Sequence, residues 1–523
     1  MNGADLICKT LIASGIEVCF ANPGTSELHL VAGMERRADL RCVLGLFEGV
    51  VTGAADGYGR MTDKPAATLL HLGPGLGNGL ANLHNARRAA TPIVNIVGDH
   101  ASHHLPFDAP LTSDIESLAR PMSNWYGRVD SVHHIVPTVA DACRAATSLP
   151  GIATLVVPAE VTWSDADPVQ PPSIADIRPV SPSAPDADKE RRAAALLRRG
   201  RSTALFLGGR ALRQEALAHA AEIAGKTGAS LLSPFANARM ARGAGRPVVP
   251  RVAYATDRAV AQLQQFDAIV MIDARPPVAF FAHPGMPSQL LRGDCEVLEL
   301  CEPGGDAAAA LASLAEHFAS TPFLLDPPPP PLVRTGQQDL SQGALTNEVL
   351  AELITRMLPD GAIVCDEALS SVPQLFAASH DAAPHDWLQI TGGSIGIGIP
   401  LATGAAIACP DRKVITLQAD GSGMYTLQGL WTQAHERLDA ITIVLANRKY
   451  ALLIDEMRRM GVKPPEHQVR SSFDLTDPVL DWVYLANGMG VEAVRVSSAK
   501  EFTNAFTVAL MRRGPFLIEA VLA

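Results

Sequence analysis

Two proline-rich stretches cut this chain into three. The first, Ser164 to Lys189, includes Pro168, Pro171, Pro172, Pro179, Pro182 and Pro185; the second, Thr321 to Gln342, contains the run Pro327 to Pro331. Proline has no amide hydrogen to donate and fixes φ, so neither stretch can form regular helix or central strand, and both read as extended linkers. The segments between them, 1–163, 190–320 and 343–523, are each long enough to bury a core. Each alternates short β-branched runs with helical patterns: Thr203-Ala204-Leu205-Phe206-Leu207 precedes a helix, and Ala268-Ile269-Val270-Met271-Ile272 follows one. That alternation predicts an α/β protein of three domains built on mainly parallel sheets.

Composition narrows the partners. With 43 Lys and Arg against 54 Asp and Glu, the 523-residue chain carries a formal charge of −11 and has no dense basic stripe, which argues against nucleic acid or an anionic membrane surface. At 47% hydrophobic and 19% charged residues, enough apolar surface is available to offset the entropy of ordering. The eight cysteines form no C-x-x-C pair and read as reduced core thiols rather than zinc ligands. Leu6 to Phe20 is interrupted by Lys9 and Glu17, so it predicts an amphipathic helix and not a secretory signal. Two long uncharged stretches, Pro65 to Ala86 and Trp387 to Pro410, are rich in glycine, whose irregular backbone would leave amides unsatisfied in lipid; they read as buried loops leading into helices. A cytoplasmic location is expected.

One supersecondary unit occurs twice. Ala67-Thr68-Leu69-Leu70 runs into His71-Leu72-Gly73-Pro74-Gly75-Leu76-Gly77-Asn78, a helix to Ala89 and the strand Ile93 to Val97; Val414-Ile415-Thr416-Leu417 runs into Gln418-Ala419-Asp420-Gly421-Ser422-Gly423, a helix to Arg437 and the strand Ile441 to Leu445. Two such βαβ units suggest related domains with different tasks. In the second unit, Asp420 ends one parallel strand and Asn447, 27 residues on, ends the next, so both reach the crevice where α/β sheets bind ligands. Gly421 and Gly423 permit close backbone approach, and a helix starting near Met424 aims its free amides at the same spot. Hard oxygen donors beside a phosphate-binding turn predict a Mg²⁺-diphosphate cradle; an isolated Asp-Gly would be only a turn.

These residues resemble the thiamine diphosphate-dependent enzyme family, whose signature is Gly-Asp-Gly followed by an Asn at about this separation. The resemblance implies that Asp420, Asn447 and the carbonyl of Lys449 hold Mg²⁺, and that Ser370, Gly421, Ser422, Met424, Tyr425 and Asn447 contact the cofactor. Ala419 departs from the family's first glycine, at a cost of about 1 kcal/mol if that position needs positive φ. The likeness covers nearly the whole chain. Asn22-Pro23-Gly24-Thr25-Ser26-Glu27-Leu28, and Glu48 followed by Ala54 to Arg60, are similar to benzoylformate decarboxylases and acetolactate synthases. Gly421 to Trp431 is most similar to the former. Gly392 to Pro400 resembles the loop that wraps the cofactor, with Gly393 accepting the 4′-amino group and Ile395 lying under the thiazolium. Alone, Glu48 would be an ordinary first-turn glutamate. Within this pattern it is the carboxyl group that bonds the aminopyrimidine N1′ and drives formation of the nucleophile, an effect worth about 10²–10⁴-fold.

The same resemblance gives a substrate pocket of Thr25, His71, Leu111, His283 and Leu453, with Thr25, His71 and His283 catalytic beside Glu48. Glu456 falls where benzoylformate decarboxylases place an apolar residue, which disfavours a bare phenyl substrate. His103 and His104 resemble the paired histidines of pyruvate decarboxylases in different surroundings. The turn Gly208-Gly209-Arg210 admits FAD, but a flavin is not expected. The expected reaction is decarboxylation of a 2-oxo acid to an aldehyde through a C2 ylide and an enamine. Carboligation of the acetolactate synthase type is the alternative, followed by a 2-hydroxyacyl- or oxalyl-CoA lyase and, last, a non-catalytic binding homologue. Family architecture divides the site between subunits and implies a homodimer or homotetramer.

Overall fold

A computed structural model of the protein describes residues 1–148, 150–167, 186–324, 343–462 and 472–523. Most of both proline-rich stretches, and with them the reading of these as linkers, lies outside the described residues. The first sheet comprises β1 (Val18–Asn22), β2 (Arg41–Leu44), β3 (Ala66–Leu70), β4 (Ile93–Asp99), β5 (Trp125–Arg128) and β6 (Ile152–Pro158), in the order β2-β1-β3-β4-β6-β5. Every neighbouring pair is parallel. The central strands β3 and β4 are buried from end to end, as strands covered by helices on both faces must be.

The middle sheet is parallel too, with β7 (Thr203–Leu207), β8 (Ser230–Leu232), β10 (Ala268–Ile272) and β11 (Glu296–Cys301) in the order β11-β10-β7-β8. The strand between them in sequence, β9 (Met240–Arg242), leaves this domain and pairs antiparallel with the edge of the third sheet. That sheet runs β16-β17-β15-β14-β12-β13-β9, with β12 (Ala362–Glu367), β13 (His385–Gln389), β14 (Val414–Ala419), β15 (Ala440–Ala446), β16 (Glu492–Val496) and β17 (Phe516–Val521). Next to β9, Arg239 grips Asp386 with two hydrogen bonds of 2.8 and 3.1 Å, and the Arg242 guanidinium lies 3.6 Å from the centre of the Phe376 ring. The chain thus has three parallel-sheet α/β domains, and the middle one is stitched to the third.

A helix pair joins the first and third domains. Glu48–Thr62 is buried from Glu48 to Met61, and Gly398–Ala408 is buried from Gly398 to Ile407. Two glycines set their approach: a Cβ on Gly57 would lie 2.0 Å from the Leu401 carbonyl oxygen, and one on Gly404 would lie 1.8 Å from that of Ala54. Glu48 is at the N-terminus of one helix, and residues 390–397 lead into the other.

Three local expectations are corrected. Leu6 to Phe20 is not one helix: the helix Gly3–Ala13 stops before Gly15, which takes φ 84°, and Val18 already belongs to β1. Pro65 to Ala86 contains almost no loop, since β3 passes through His71 alone into the helix Leu72–Arg88. No helix begins near Met424; a single turn, Asp420–Gly423, is followed by Gly429–His435, because two glycines in four residues give little support to a longer helix.

Candidate active site

The first domain gathers a small acid-imidazole group at the carboxyl ends of β1 and β3. The loop after β1 brings Glu27 back under His71, which caps the helix Leu72–Arg88. The Glu27 side chain is fully buried; its Oε2 receives the Gly24 amide at 2.8 Å and meets His71 Nδ1 at 2.7 Å, while Oε1 has no hydrogen-bond partner among the described residues. Burial pushes the Glu27 carboxyl up, and the Gly24 amide and the His71 imidazole oppose the rise. A Cβ on Gly98 would sit 1.7 Å from Oε1, so only glycine fits behind the carboxyl. In its ionised form Glu27 can only accept, which puts the proton on His71 Nδ1 and leaves Nε2 free to act. Glu48 is adjacent: a Cβ on Gly75 would lie 3.1 Å from Glu48 Oε1 and 3.4 Å from the His71 Cβ. Glu48 is 6% exposed and accepts from Asn78 Nδ2 at 3.0 Å.

The third domain supplies a different chemistry. Asp420, directly after β14, receives the Gly421 amide on Oδ1 at 2.9 Å and the Arg448 amide on Oδ2 at 2.6 Å. Burial pushes its carboxyl up and these amides pull it back. Asn447, directly after β15, accepts the Lys449 amide at 3.1 Å and reaches Ser370 Oγ at 3.5 Å. Ala419 has φ −71°, so its Cβ causes no strain and the departure from the family's glycine costs nothing there. At Gly421 a Cβ would come within 2.7 Å of the Tyr450 ring, which keeps that turn bare. A carboxylate, an amide oxygen and the Lys449 carbonyl are hard donors that fit Mg²⁺ with diphosphate oxygens completing its shell. Ser422 is buried beneath this turn, Met424 is half-buried, and Tyr425 is exposed beyond it.

One face of the helix Leu72–Arg88 ties the Glu48 end of the first group to the loop that leads into the helix Gly398–Ala408. Asn78 bonds Glu48; Asn82 Nδ2 donates to the Gly49 carbonyl at 2.8 Å and to that of Gly396 at 3.2 Å; Asn85 receives the Gly392 and Ser394 amides at 3.1 and 3.2 Å and donates to the Ser394 carbonyl at 2.7 Å. From the other side, the buried Glu367 carboxylate receives the Gly396 and Gly398 amides at 2.5 and 2.6 Å. Gly393 and Gly396 take φ 75° and 92°, so the loop carrying Gly393 and Ile395 is held at both ends by side chains.

The remaining expected residues are more dispersed. His283 Nε2 lies 2.9 Å from Glu456 Oε2, joining the middle domain to the helix Ala451–Arg459. Leu111 and Leu453 are exposed, as is Thr25 in its turn. His103 and His104 are exposed in the loop after β4, with His104 edge-on to His100. At the Gly208-Gly209 turn, Asp273 Oδ2 receives the Arg210 amide at 2.6 Å, and its Oδ1 receives the Gly304 amide of a separate segment at 2.8 Å. A flavin diphosphate at this turn would compete with the Asp273 carboxylate for the Arg210 amide. The sequence alone assigns no role to Glu27, Asn78, Asn82, Asn85 or Glu367. For the three asparagines the i, i+4, i+7 spacing is the available signal, since polar side chains repeating on a buried helix face need partners.

The family model described as the thiamine pyrophosphate enzyme N-terminal TPP binding domain matches residues 1–118, and its C-terminal counterpart matches residues 373–520. The Mycobacterium tuberculosis protein IlvX, which carries an acetolactate synthase large-subunit name, is 45% identical over 100% of this chain and 99% of its own. The benzoylformate decarboxylase of Pseudomonas aeruginosa is 29% identical over 97% of this chain and 96% of its own. Among solved structures, the thiamine diphosphate-dependent 4-hydroxybenzoylformate decarboxylase of Rhodococcus jostii superposes with a TM-score of 0.84 at 26% identity, covering 99% of this chain and 98% of that one.

Proposed function

From the premise that the chain belongs to the thiamine pyrophosphate-dependent enzyme family, we propose that it decarboxylates a 2-oxo acid to an aldehyde, with Asp420, Asn447 and the Lys449 carbonyl holding the diphosphate through Mg²⁺. When bound, the thiazolium supplies a carbon nucleophile and an electron sink. Glu48 holds a proton at the aminopyrimidine. Its burial at a helix N-terminus, with Asn78 fixing one oxygen, keeps the carboxyl aimed and away from bulk water. The Glu367 and Asn85 bonds keep the Gly392 to Gly396 loop in one conformation where it would meet the cofactor.

The observation that carries the choice of reaction is the Glu27–His71 pair beside Glu48. An imidazole whose Nδ1 is held by a buried carboxylate presents Nε2 at a fixed aim, and in its doubly protonated form it delivers a proton there, which favours protonation, and hence aldehyde release, over attack on a second carbonyl. The acetolactate synthase name of the 45%-identical relative favours the second reading, carboligation to a 2-hydroxy ketone or acid. The enzyme is proposed to act as a homodimer or homotetramer in the cytoplasm; among the described residues no helix is long and apolar enough to cross a membrane.

The test is CO₂ release from 2-oxo acids ranging from small aliphatic to aromatic, with thiamine diphosphate and Mg²⁺ present and products identified. Glu48→Gln is expected to keep cofactor binding and lose turnover by about 10²-fold or more. An aldehyde product supports decarboxylation, and a coupled product supports the second reading. Normal turnover by Glu48→Gln defeats both, and tight cofactor binding without CO₂ release from any acid points to a thioester lyase or a non-catalytic protein.

A further inference from the structure

A hairpin of the middle domain reaches over the third domain. Val278 and Gln289 pair antiparallel, the Ala279 amide donates to the Ser288 carbonyl at 2.9 Å, and the Met286 amide donates to that of His283 at 3.1 Å. Phe280 and His283 of this hairpin contact the third domain. Phe280 covers the Gly393 turn so closely that a Cβ on Gly393 would lie 2.7 Å from its ring. His283 meets Glu456, and both side chains are 9% exposed.

Glu456 is the one buried residue of the helix Ala451–Arg459. A carboxylate is an expensive group to bury unless its partners are in place, and here they are. Oε2 faces His283 Nε2 at 2.9 Å, Oε1 pairs with Arg459, and Tyr254 lies against the same carboxylate beneath the Arg459 guanidinium. On its other edge the imidazole meets Thr256 Oγ1 at 3.3 Å. An ionised Glu456 only accepts, so Nε2 donates to it and Nδ1 accepts from the Thr256 hydroxyl. Both ring nitrogens are then used inside the protein, which suits His283 to holding rather than to proton transfer.

We propose that Glu456 is a positioning residue whose carboxylate clamps the 278–289 hairpin to the helix Ala451–Arg459, holding Phe280 over the Gly393 turn as one wall of the substrate cavity. The clamp rests on the site assigned under the proposed function, and its effect is on substrate capture rather than on the proton chemistry at Glu48 and His71. Glu456→Gln keeps an acceptor for Nε2 and keeps the clamp; Glu456→Ala removes it.

The test is hydrogen exchange on the full chain, which reads the hairpin whether or not a substrate is known. In Glu456→Ala, amides of 279–288 are expected to exchange at least about 10-fold faster, with β14 and β15 unchanged, and Glu456→Gln should stay within about threefold of the parent. With any 2-oxo acid that is turned over, Glu456→Ala should raise KM about 10-fold while kcat moves less than about threefold. Unchanged exchange in Glu456→Ala, a Gln variant as fast as the Ala variant, or a fall in kcat at constant KM overturns the clamp. If Glu456→Ala fails to fold, His283→Leu removes the same contact from the other side and is read by hydrogen exchange alone. Absence of turnover with every acid would count against the proposed function, and the exchange result would still decide the clamp.

Discussion

Glu27 shows how one residue couples burial to chemistry. Its carboxyl sits against Gly98 with no room for a Cβ, and it spends one oxygen on both the Gly24 amide and the His71 ring. Replacing it by Gln keeps the shape and the Gly24 contact but removes the charge that fixes the His71 proton on Nδ1. The expected result is a loss of about 10-fold or more in kcat for CO₂ release, with cofactor affinity unchanged. Gly98→Ala should reach the same defect from behind, since the new methyl must displace the Glu27 side chain, and it should also cost about 1–3 kcal/mol in urea unfolding. Parent-like kcat in both variants would remove Glu27 from the site. The sequence places Glu27 within the Asn22 to Leu28 motif but gives it no task, because its partners His71 and Gly98 belong to other strands and no local spacing relates them. Asp420 and Asn447, in contrast, are visible from motif and spacing, and Glu48 from the family resemblance; Glu48 opens a helix, and Asp420 and Asn447 directly follow β14 and β15.

At the scale of elements, β3, β4, β14 and β15 are readable because parallel strands covered on both faces are continuous apolar runs. β9 is not, since three residues carry no periodicity and its pairing partner β13 lies in another domain. The helix pair Glu48–Thr62 and Gly398–Ala408 is half visible: the glycines of the second helix read as loop-like in sequence, whereas their work is to let two buried helices touch. Gly404 is the tightest point of that contact, since a Cβ there would lie only 1.8 Å from the Ala54 carbonyl oxygen. Backbone on both sides leaves no flexible side chain to yield, so Gly404→Ala must push the helices apart. The shift would move Glu48 at one helix start relative to the Gly392 to Gly396 loop at the other. Gly404→Ala is therefore expected to lose about 1–3 kcal/mol of stability and to weaken thiamine diphosphate binding together. Calorimetric titration of the cofactor beside urea unfolding checks this; lost stability with unchanged affinity would show that the helix pair does not set the site.

In the whole molecule the three domains are interlocked by devices that only long-range contacts reveal: the helix pair between the first and third, β9 with Arg239 on Asp386, and the hairpin carrying His283. The three-domain α/β plan is legible because strand and helix patterns are local; the interlocking is not. It has a consequence for cofactor binding. A ligand held by Asp420 and Asn447 favours the folded third domain by mass action, by about 2.7 kcal/mol at a concentration one hundred times Kd. Because Asn82 and Asn85 tie the adjoining loop to the first domain, that stabilisation should spread beyond the cradle. Thiamine diphosphate with Mg²⁺ is expected to raise the thermal transition of the full chain, and EDTA should abolish the rise. Asp420→Ala, which removes the carboxylate but none of the interlocking contacts, should keep the cofactor-free transition near the parent value and lose the shift. Differential scanning calorimetry with and without cofactor reads all three. A shift that persists in EDTA or in Asp420→Ala would place the diphosphate somewhere other than the turn after β14.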